Sequence, residues 1–381
     1  MMRDITAHSI PIETFRVNRE CVHVTWRDGR QSDYHHIWLR DNCPSVWHPT
    51  TRERVLDSMS LDPDIQPASV RLDERGRLII DWPENHTSIY EPAWLRQYSY
   101  DDQSRAERQP QTRYWTRDIV EQLAVFDAPP LMTDDHALLQ WLRQLRDHGF
   151  TLVRQTPRTD TAAEELAGRI AYRRQTNFGV RFEVVSKPDA NNVAYTALEL
   201  KAHTDLPNRE MPPGMQFLHC LQCDAEGGES IFVDGFHAAA VLRDVNPEAF
   251  DILSSTALPF RFHDREWDLR WKAPVIQLDS DGALAEVRYH NALMAPLDVP
   301  PGKVKSVYWA LQAFTAIVRQ PENVLTLTLQ PGELAAFHNR RILHGRSAFN
   351  PASGRRRLLG CYVDADEFHS RIRVLERSQA S

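Results

Sequence analysis

No run of this sequence is apolar over the length of a membrane span, and Met1-Met2-Arg3-Asp4-Ile5-Thr6 lacks the apolar core of a secretory leader. Cysteine is scarce as well. The five in 381 residues (Cys21, Cys43, Cys220, Cys223 and Cys361) are odd in number and scattered. A disulfide framework is therefore not expected, and a cytoplasmic protein with reduced thiols is the reading. There are no internal repeats and no low-complexity segment. Positive charge is not gathered into one tract, and the formal net charge is −7. Neither nucleic acid nor an anionic membrane surface is then expected as the main partner. What remains is a globular composition, 42% hydrophobic and 25% charged, which speaks against disorder. The length suffices for one large domain and a smaller one.

Along the chain, residues 1–99 read as a small β-rich domain. Cys21-Val22-His23-Val24-Thr25-Trp26 leads into Arg27-Asp28-Gly29, a hairpin signal, and Glu74-Arg75-Gly76 separates two further strand-like runs. Residues 100–113, polar and ending near Pro110, read as a linker. In residues 114–381, Leu138, Leu139, Trp141, Leu142 and Leu145 have helical spacing, with a cap at Thr133-Asp134-Asp135 and a stop at Gly149. A second helix is expected from Thr161 to Tyr172, with Thr161 and Glu164 in a capping box. From Val193 onward, short apolar runs split by Gly, Pro, Asp and Asn indicate many strands in a sandwich or barrel. Val304 to Val318, helical in period, interrupts them.

The chemistry is carried by Ala202-His203-Thr204-Asp205. A His-x-Asp on a strand would present both side chains on one face, because side chains alternate. With one more histidine, this donor set makes a 2-His-1-carboxylate face that leaves open positions on an octahedral ion, the arrangement of non-haem iron(II) oxygenases. The third ligand must come from elsewhere, and His344 is one of several candidates among 16 histidines. The motif is short and weak by itself; its bland alternative is a loop histidine. Downstream, Arg355-Arg356-Arg357 precedes the strand-like Leu358-Leu359-Gly360-Cys361-Tyr362-Val363. An arginine there could aim its planar fork at the carboxylate of a keto acid. At least two of the three belong to a solvated turn.

Five stretches carry a wider resemblance. They are Asn192-Val193-Ala194-Tyr195-Thr196, His203-Thr204-Asp205-Leu206-Pro207, Phe217-Leu218-His219-Cys220, the run from Gly227 to Phe236, and His344-Gly345-Arg346. In these the chain resembles the γ-butyrobetaine dioxygenase family, within the taurine-dioxygenase-like iron(II)/2-oxoglutarate oxygenases, from about Val22 to Leu375. The resemblance implies a mainly β protein: a double-stranded β-helix (jelly roll) catalytic domain with flanking helices behind a small β domain, usually in a homodimer. It implies His203, Asp205 and His344 as iron ligands, with Arg356 and Ser230 on the distal carboxylate of 2-oxoglutarate. Ascorbate is the implied stimulant. It also implies an aromatic cage of Phe178, Phe182, Tyr195 and Tyr362 for a trimethylammonium group, with Asn192 and Asn291 near the substrate's acidic end. A quaternary ammonium has no hydrogen to donate, so aromatic faces are its natural site. The implied reaction is hydroxylation of γ-butyrobetaine to L-carnitine with release of succinate and CO2.

Three departures from the family pattern and one further motif stand out. Of the residues that hold a structural zinc in the family, only Cys43 and His86 remain; Val46 and Trp47 are expected to pack in its place, and no zinc is expected. Cys220-Leu221-Gln222-Cys223 is the one CxxC, and strand alternation would point its thiols apart, which favours a structural role. Met294 stands where the family often has arginine, and His338 where an acidic residue is usual. Competing readings are a dioxygenase for another trimethylammonium compound such as 2-(trimethylamino)ethylphosphonate, a non-catalytic metal-binding jelly roll, and a zinc hydrolase. Arg356 and Ser230 argue against the second, and the want of an obvious base beside His203 against the third.

Overall fold

A computed structural model describes residues 10–109, 112–185 and 196–380. The chain divides into two compact units, residues 1–111 and 112–381.

The first unit holds two three-stranded antiparallel sheets. One orders Ile12–Val17, Cys21–Trp26 and Gln31–His35; the other orders Ser69–Leu72, Leu78–Trp82 and His86–Tyr90. Both expected hairpins turn on a glycine with positive φ, Gly29 at 82° and Gly76 at 73°. Alternate residues face a shared core of Val22, Val24, Trp26, Tyr34, Leu78, Ile80 and Trp82. Each buried indole finds a serine: Trp26 Nε1 donates to Ser32 Oγ at 3.0 Å and Trp82 Nε1 to Ser88 Oγ at 2.9 Å.

The stretch read as a linker is not structureless. It contains the helix Asp102–Arg108, and its polarity has specific uses. Asp101 caps the helix by accepting from Ser104 N at 2.8 Å, Glu107 pairs with Arg30 at 2.8 Å, and buried Arg108 donates to Ser99 O at 2.5 Å.

The second unit is the jelly roll. A six-stranded sheet runs in the order Val125–Asp127, Phe150–Arg154, Leu334–His338, Met215–Cys223, Arg356–Val363, Arg181–Val184. A four-stranded sheet runs in the order Leu200–His203, Ile342–Arg346, Ser230–Asp234, Leu325–Leu327. Period-two alternation sorts the strand Met215–Cys223. Met215 and Phe217 join the core beneath helices Asp135–His148 and Ala365–Ala380, whereas Leu218 and Cys220 join a second cluster with Phe232 and Ile342 of the four-stranded sheet.

The helix Asp135–His148 starts on Asp134, whose carboxylate accepts from His136 N and Ala137 N, and ends at left-handed Gly149. The expected second helix is shorter, Ala162–Gly168, and its capping box is not formed; Thr161 Oγ1 accepts from no N–H of the first turn and donates instead to the Glu165 carboxylate. Helices Gly235–Val245 and Pro247–Ser255 were not expected among the strands. With Val304–Val318 they form a separate apolar cluster, seeded by caps at Asp234 and Asn246.

Candidate active site

His203 ends its strand directly opposite His344, and the two imidazole centroids lie 4.4 Å apart. Gly345 makes this approach possible: a Cβ there would sit 2.5 Å from Leu200 O. Asp205 lies just past the end of the strand, not on it. Its place comes from other contacts. Thr204 exchanges two hydrogen bonds with Tyr289, its N donating to Tyr289 O at 2.8 Å and its Oγ1 accepting from Tyr289 N at 3.0 Å. Leu206 then turns the chain with φ of 56°.

Asp205 Oδ1 stands 3.3 Å from His203 Nε2 and 3.7 Å from His344 Nε2. Among the described residues this is the one group of three such donors close enough to share an ion, within 4.8 Å of one another. The tautomer is set as a ligand needs it. His203 Nδ1 faces Lys201 O at 2.8 Å, an acceptor only, so Nδ1 carries the proton and Nε2 keeps its lone pair. Burial pushes His344 down to about 3, against the pull of Asp205. Burial would raise Asp205, but His344, His203 and the Tyr362 hydroxyl hold it well below the usual carboxylate range. A carboxylate held ionised between two imidazole nitrogens is a donor set that fits a divalent ion.

One cavity is lined by the triad, by Ser230, Arg346 and Arg356, and by the rings of Phe178, Phe182, Phe262 and Tyr362. Ser230 and Arg346 are directly opposed on neighbouring strands. Arg356 is buried, with Nε donating to Gly228 O at 3.0 Å. Phe182 stacks on Tyr362 (4.9 Å, 27°), and Phe178 meets Phe262 edge-on (5.4 Å, 68°). Gly360 leaves the room for Phe182, whose ring would lie 2.2 Å from a Cβ at that position.

Residues 108–362 match the family described as taurine catabolism dioxygenase TauD, TfdA, and residues 13–96 match the γ-butyrobetaine hydroxylase-like N-terminal family. The chain belongs to the TauD/TfdA dioxygenase family. It is 46% identical over 361 residues to γ-butyrobetaine dioxygenase of Pseudomonas sp. (strain AK-1), covering 93% of this chain and 94% of that one. It is 34% identical over 368 residues to the Homo sapiens γ-butyrobetaine dioxygenase, with coverage of 93% and 94%. To the mitochondrial trimethyllysine dioxygenase of Homo sapiens it is 32% identical over 352 residues, covering 90% and 82%. As a TauD/TfdA dioxygenase with this triad, the protein uses iron(II) and 2-oxoglutarate.

Several expectations need correction or fall elsewhere. Asn192 and Tyr195 lie outside the described residues. Asn291 is exposed and lines a neighbouring hollow with Lys201, His290 and Arg319; Leu293, two residues on, is the one that reaches the triad cavity. Met294 bridges to Phe260 and packs against the helical core, so its loss of charge does not fall on the cavity wall. Half-buried His338 sits at its strand end near His369 and Arg340, apart from the triad.

A β-bulge between Cys220 and Gln222 overturns the expected alternation of the CxxC. Cys220 pairs with Leu358 and Cys223 with Arg356, so both cysteines share the face that carries Arg356. In the N-terminal unit, Cys43 Sγ lies 3.3 Å from His86 Nε2 and 3.0 Å from Ser45 Oγ. Val46 is buried there as expected, but Trp47 is 39% exposed under the Arg54 guanidinium, and His48 serves a turn by accepting from Thr51 N.

Five residues around the site were not singled out from sequence: Gln216, Phe262, His290, Asn339 and Arg346. Only Arg346 had a usable signal, since it follows His344 by two on the same strand face. It anchors the approach to the triad by donating to Thr196 O at 2.6 Å and Leu198 O at 2.8 Å.

Proposed function

We propose that this protein hydroxylates γ-butyrobetaine, giving L-carnitine, with 2-oxoglutarate and O2 converted to succinate and CO2. The observation that carries the reading is one cavity lined by aromatic rings, the His-Asp-His triad and buried arginines, in a chain 46% identical to a γ-butyrobetaine dioxygenase.

His203, Asp205 and His344 would hold the iron, which with 2-oxoglutarate supplies the oxidising power that inserts one oxygen atom into a C–H bond. The chain's own residues do the rest. Arg356 offers a fixed guanidinium to the distal carboxylate of 2-oxoglutarate, and Ser230 stands on the same wall to donate a hydroxyl. Phe178, Phe182, Phe262 and Tyr362 present ring faces to the trimethylammonium group, and Tyr195, outside the described residues, is assigned to the same cage from the family pattern alone. Holding that end sets which carbon faces the metal and keeps water from the reacting centre. Asn192 and, from the hollow next to the triad cavity, Asn291 are proposed for the acidic end of the substrate, from the family pattern. A homodimer in the cytoplasm is proposed from the same resemblance and from the cysteine usage.

A panel of trimethylammonium acids, assayed for coupled succinate release, tests the substrate. γ-Butyrobetaine should stimulate most. Stronger turnover with 2-(trimethylamino)ethylphosphonate or trimethyllysine would replace the substrate while leaving the reaction class intact. A metal-binding protein without oxygenase activity would release no succinate with any of them.

A further inference from the structure

Gln216 and Tyr362 stand directly opposite each other on the neighbouring strands Met215–Cys223 and Arg356–Val363, so their side chains leave the sheet on one face. Both reach the same atom. Gln216 Nε2 donates to Asp205 Oδ2 at 2.8 Å, and the Tyr362 hydroxyl donates to it at 2.7 Å. The other carboxylate oxygen, Oδ1, is the one that faces Nε2 of both histidines, at 3.3 and 3.7 Å.

Gln216 is only 1% exposed, and its Oε1 is buried without a hydrogen-bond partner. The same Nε2 lies 3.4 Å from His344 Nε2, and turning the amide over would set its carbonyl against Oδ2, acceptor against acceptor. The donor end therefore belongs on Asp205, and a buried amide satisfied at one end only is kept at this position. With two donors on it, Oδ2 has its lone-pair directions occupied. Oδ1 is left as the oxygen available to an ion.

We propose that Gln216 and Tyr362 are positioning residues that restrict Asp205 to ligation through Oδ1 alone. Binding through both oxygens would take up one of the open positions that a 2-His-1-carboxylate face leaves for the keto acid and O2. The two donors keep that position free. Tyr362 also stacks on Phe182 in the aromatic wall, so one side chain serves both the metal ligand and the substrate pocket. The inference rests on the triad as the metal site.

The test loads the full-length protein with Co(II), whose visible d–d absorption reports coordination number, and uses no organic substrate. Gln216→Met keeps length and removes the donor; Tyr362→Phe keeps the ring and removes the other. Each is expected to bind Co(II) about 10–100-fold more weakly, the range for lost partners of a metal ligand. Each should also show a d–d spectrum, before and after 2-oxoglutarate is added, that differs from the parent. Because both act on one oxygen, their effects in the double variant should not add. Parent-like affinity and spectra in both variants would overturn the proposal. If Gln216→Met does not fold, parent-like Co(II) behaviour in Tyr362→Phe overturns it alone. Asp205→Ala separates the two levels: Co(II) bound there as in the parent sinks the triad itself, whereas loss there with parent-like Gln216→Met sinks only this inference.

Discussion

Asn339 holds Asp205 by both of its backbone polar groups. Its Oδ1 accepts from Asp205 N at 2.7 Å, and its Nδ2 donates to Asp205 O at 3.0 Å. The same Nδ2 donates to Pro213 O at 3.2 Å, and the side chain is wholly buried. This amide stands in for the strand pairing that ends at His203, and it secures the metal-binding carboxylate beside the strained Leu206. Asn339→Asp keeps the size but has no amide hydrogens to offer either carbonyl. It should weaken metal binding about 10–100-fold and lower stability by about 1–3 kcal/mol. Calorimetric titration with Mn(II) and urea unfolding read the two effects; unchanged values in both would remove Asn339 from the site.

Arg356 is expected to act on the cosubstrate alone. Loss of a charge-assisted pair costs about 1.5–3 kcal/mol, so Arg356→Met should raise the KM for 2-oxoglutarate about 10–100-fold. The KM for the trimethylammonium substrate should stay near that of the parent. Steady-state kinetics with each varied in turn make the comparison. An equal rise in both would assign Arg356 to general packing.

Phe182 should show the opposite selectivity. Phe182→Leu keeps an apolar side chain but loses a ring face over the cation, an interaction of about 0.5–2 kcal/mol. The substrate KM should rise by about 2–30-fold while the KM for 2-oxoglutarate barely moves. Gly360→Ala provides an independent route, because its Cβ would press on the same ring. A neutral isostere of the substrate, with a tert-butyl group in place of trimethylammonium, should bind no better to the parent than to Phe182→Leu.

Acid should destabilise the fold before its carboxylates titrate. Burial pushes His219 down to about 4 and His369, helped by Arg373 and Arg146, down to about 3; it lowers His338 too. In the unfolded chain these imidazoles take up protons near pH 6.5. The unfolded state then binds more protons than the folded one, so their contribution is complete above about pH 6.5 and is lost as pH falls below it. Each histidine adds a slope of up to about 1.4 kcal/mol per pH unit in that window. Urea midpoints measured from pH 7.5 to pH 4.5 should fall steadily from about pH 6.5, and His219→Gln should flatten the curve. A flat profile down to pH 4.5 would contradict the burial of these rings as neutral groups.

Much of this was legible because period-two apolar runs, glycine turns and short polar caps act locally. The hairpins at Gly29 and Gly76 and the helix from Asp135 to Gly149 follow from a few adjacent residues each. The candidate iron ligands and Arg356 were reached through family motifs, and the fold then brought His203 and His344 face to face. What escaped reading depends on contacts far apart in sequence. Asn339 meets Asp205 across 134 positions, and Gln216 looks like any polar residue in a strand until Tyr362 is set opposite it. The CxxC was misread because a bulge shifts the register between Cys220 and Gln222, and alternation gives no warning of one extra residue. The helix inside the stretch read as a linker went unread because caps and ion pairs are polar too.

The central claim is that one cavity holds a triad, a cosubstrate clamp and a cage for a methylated ammonium. It is tested most directly by incubating the iron(II)-loaded protein with γ-butyrobetaine, 2-oxoglutarate and 18O2, then weighing the products by mass spectrometry. The account predicts L-carnitine carrying one 18O, with one succinate formed per carnitine, and neither product from Asp205→Ala. Succinate without hydroxylated product, or carnitine formed equally well by Asp205→Ala, would contradict it.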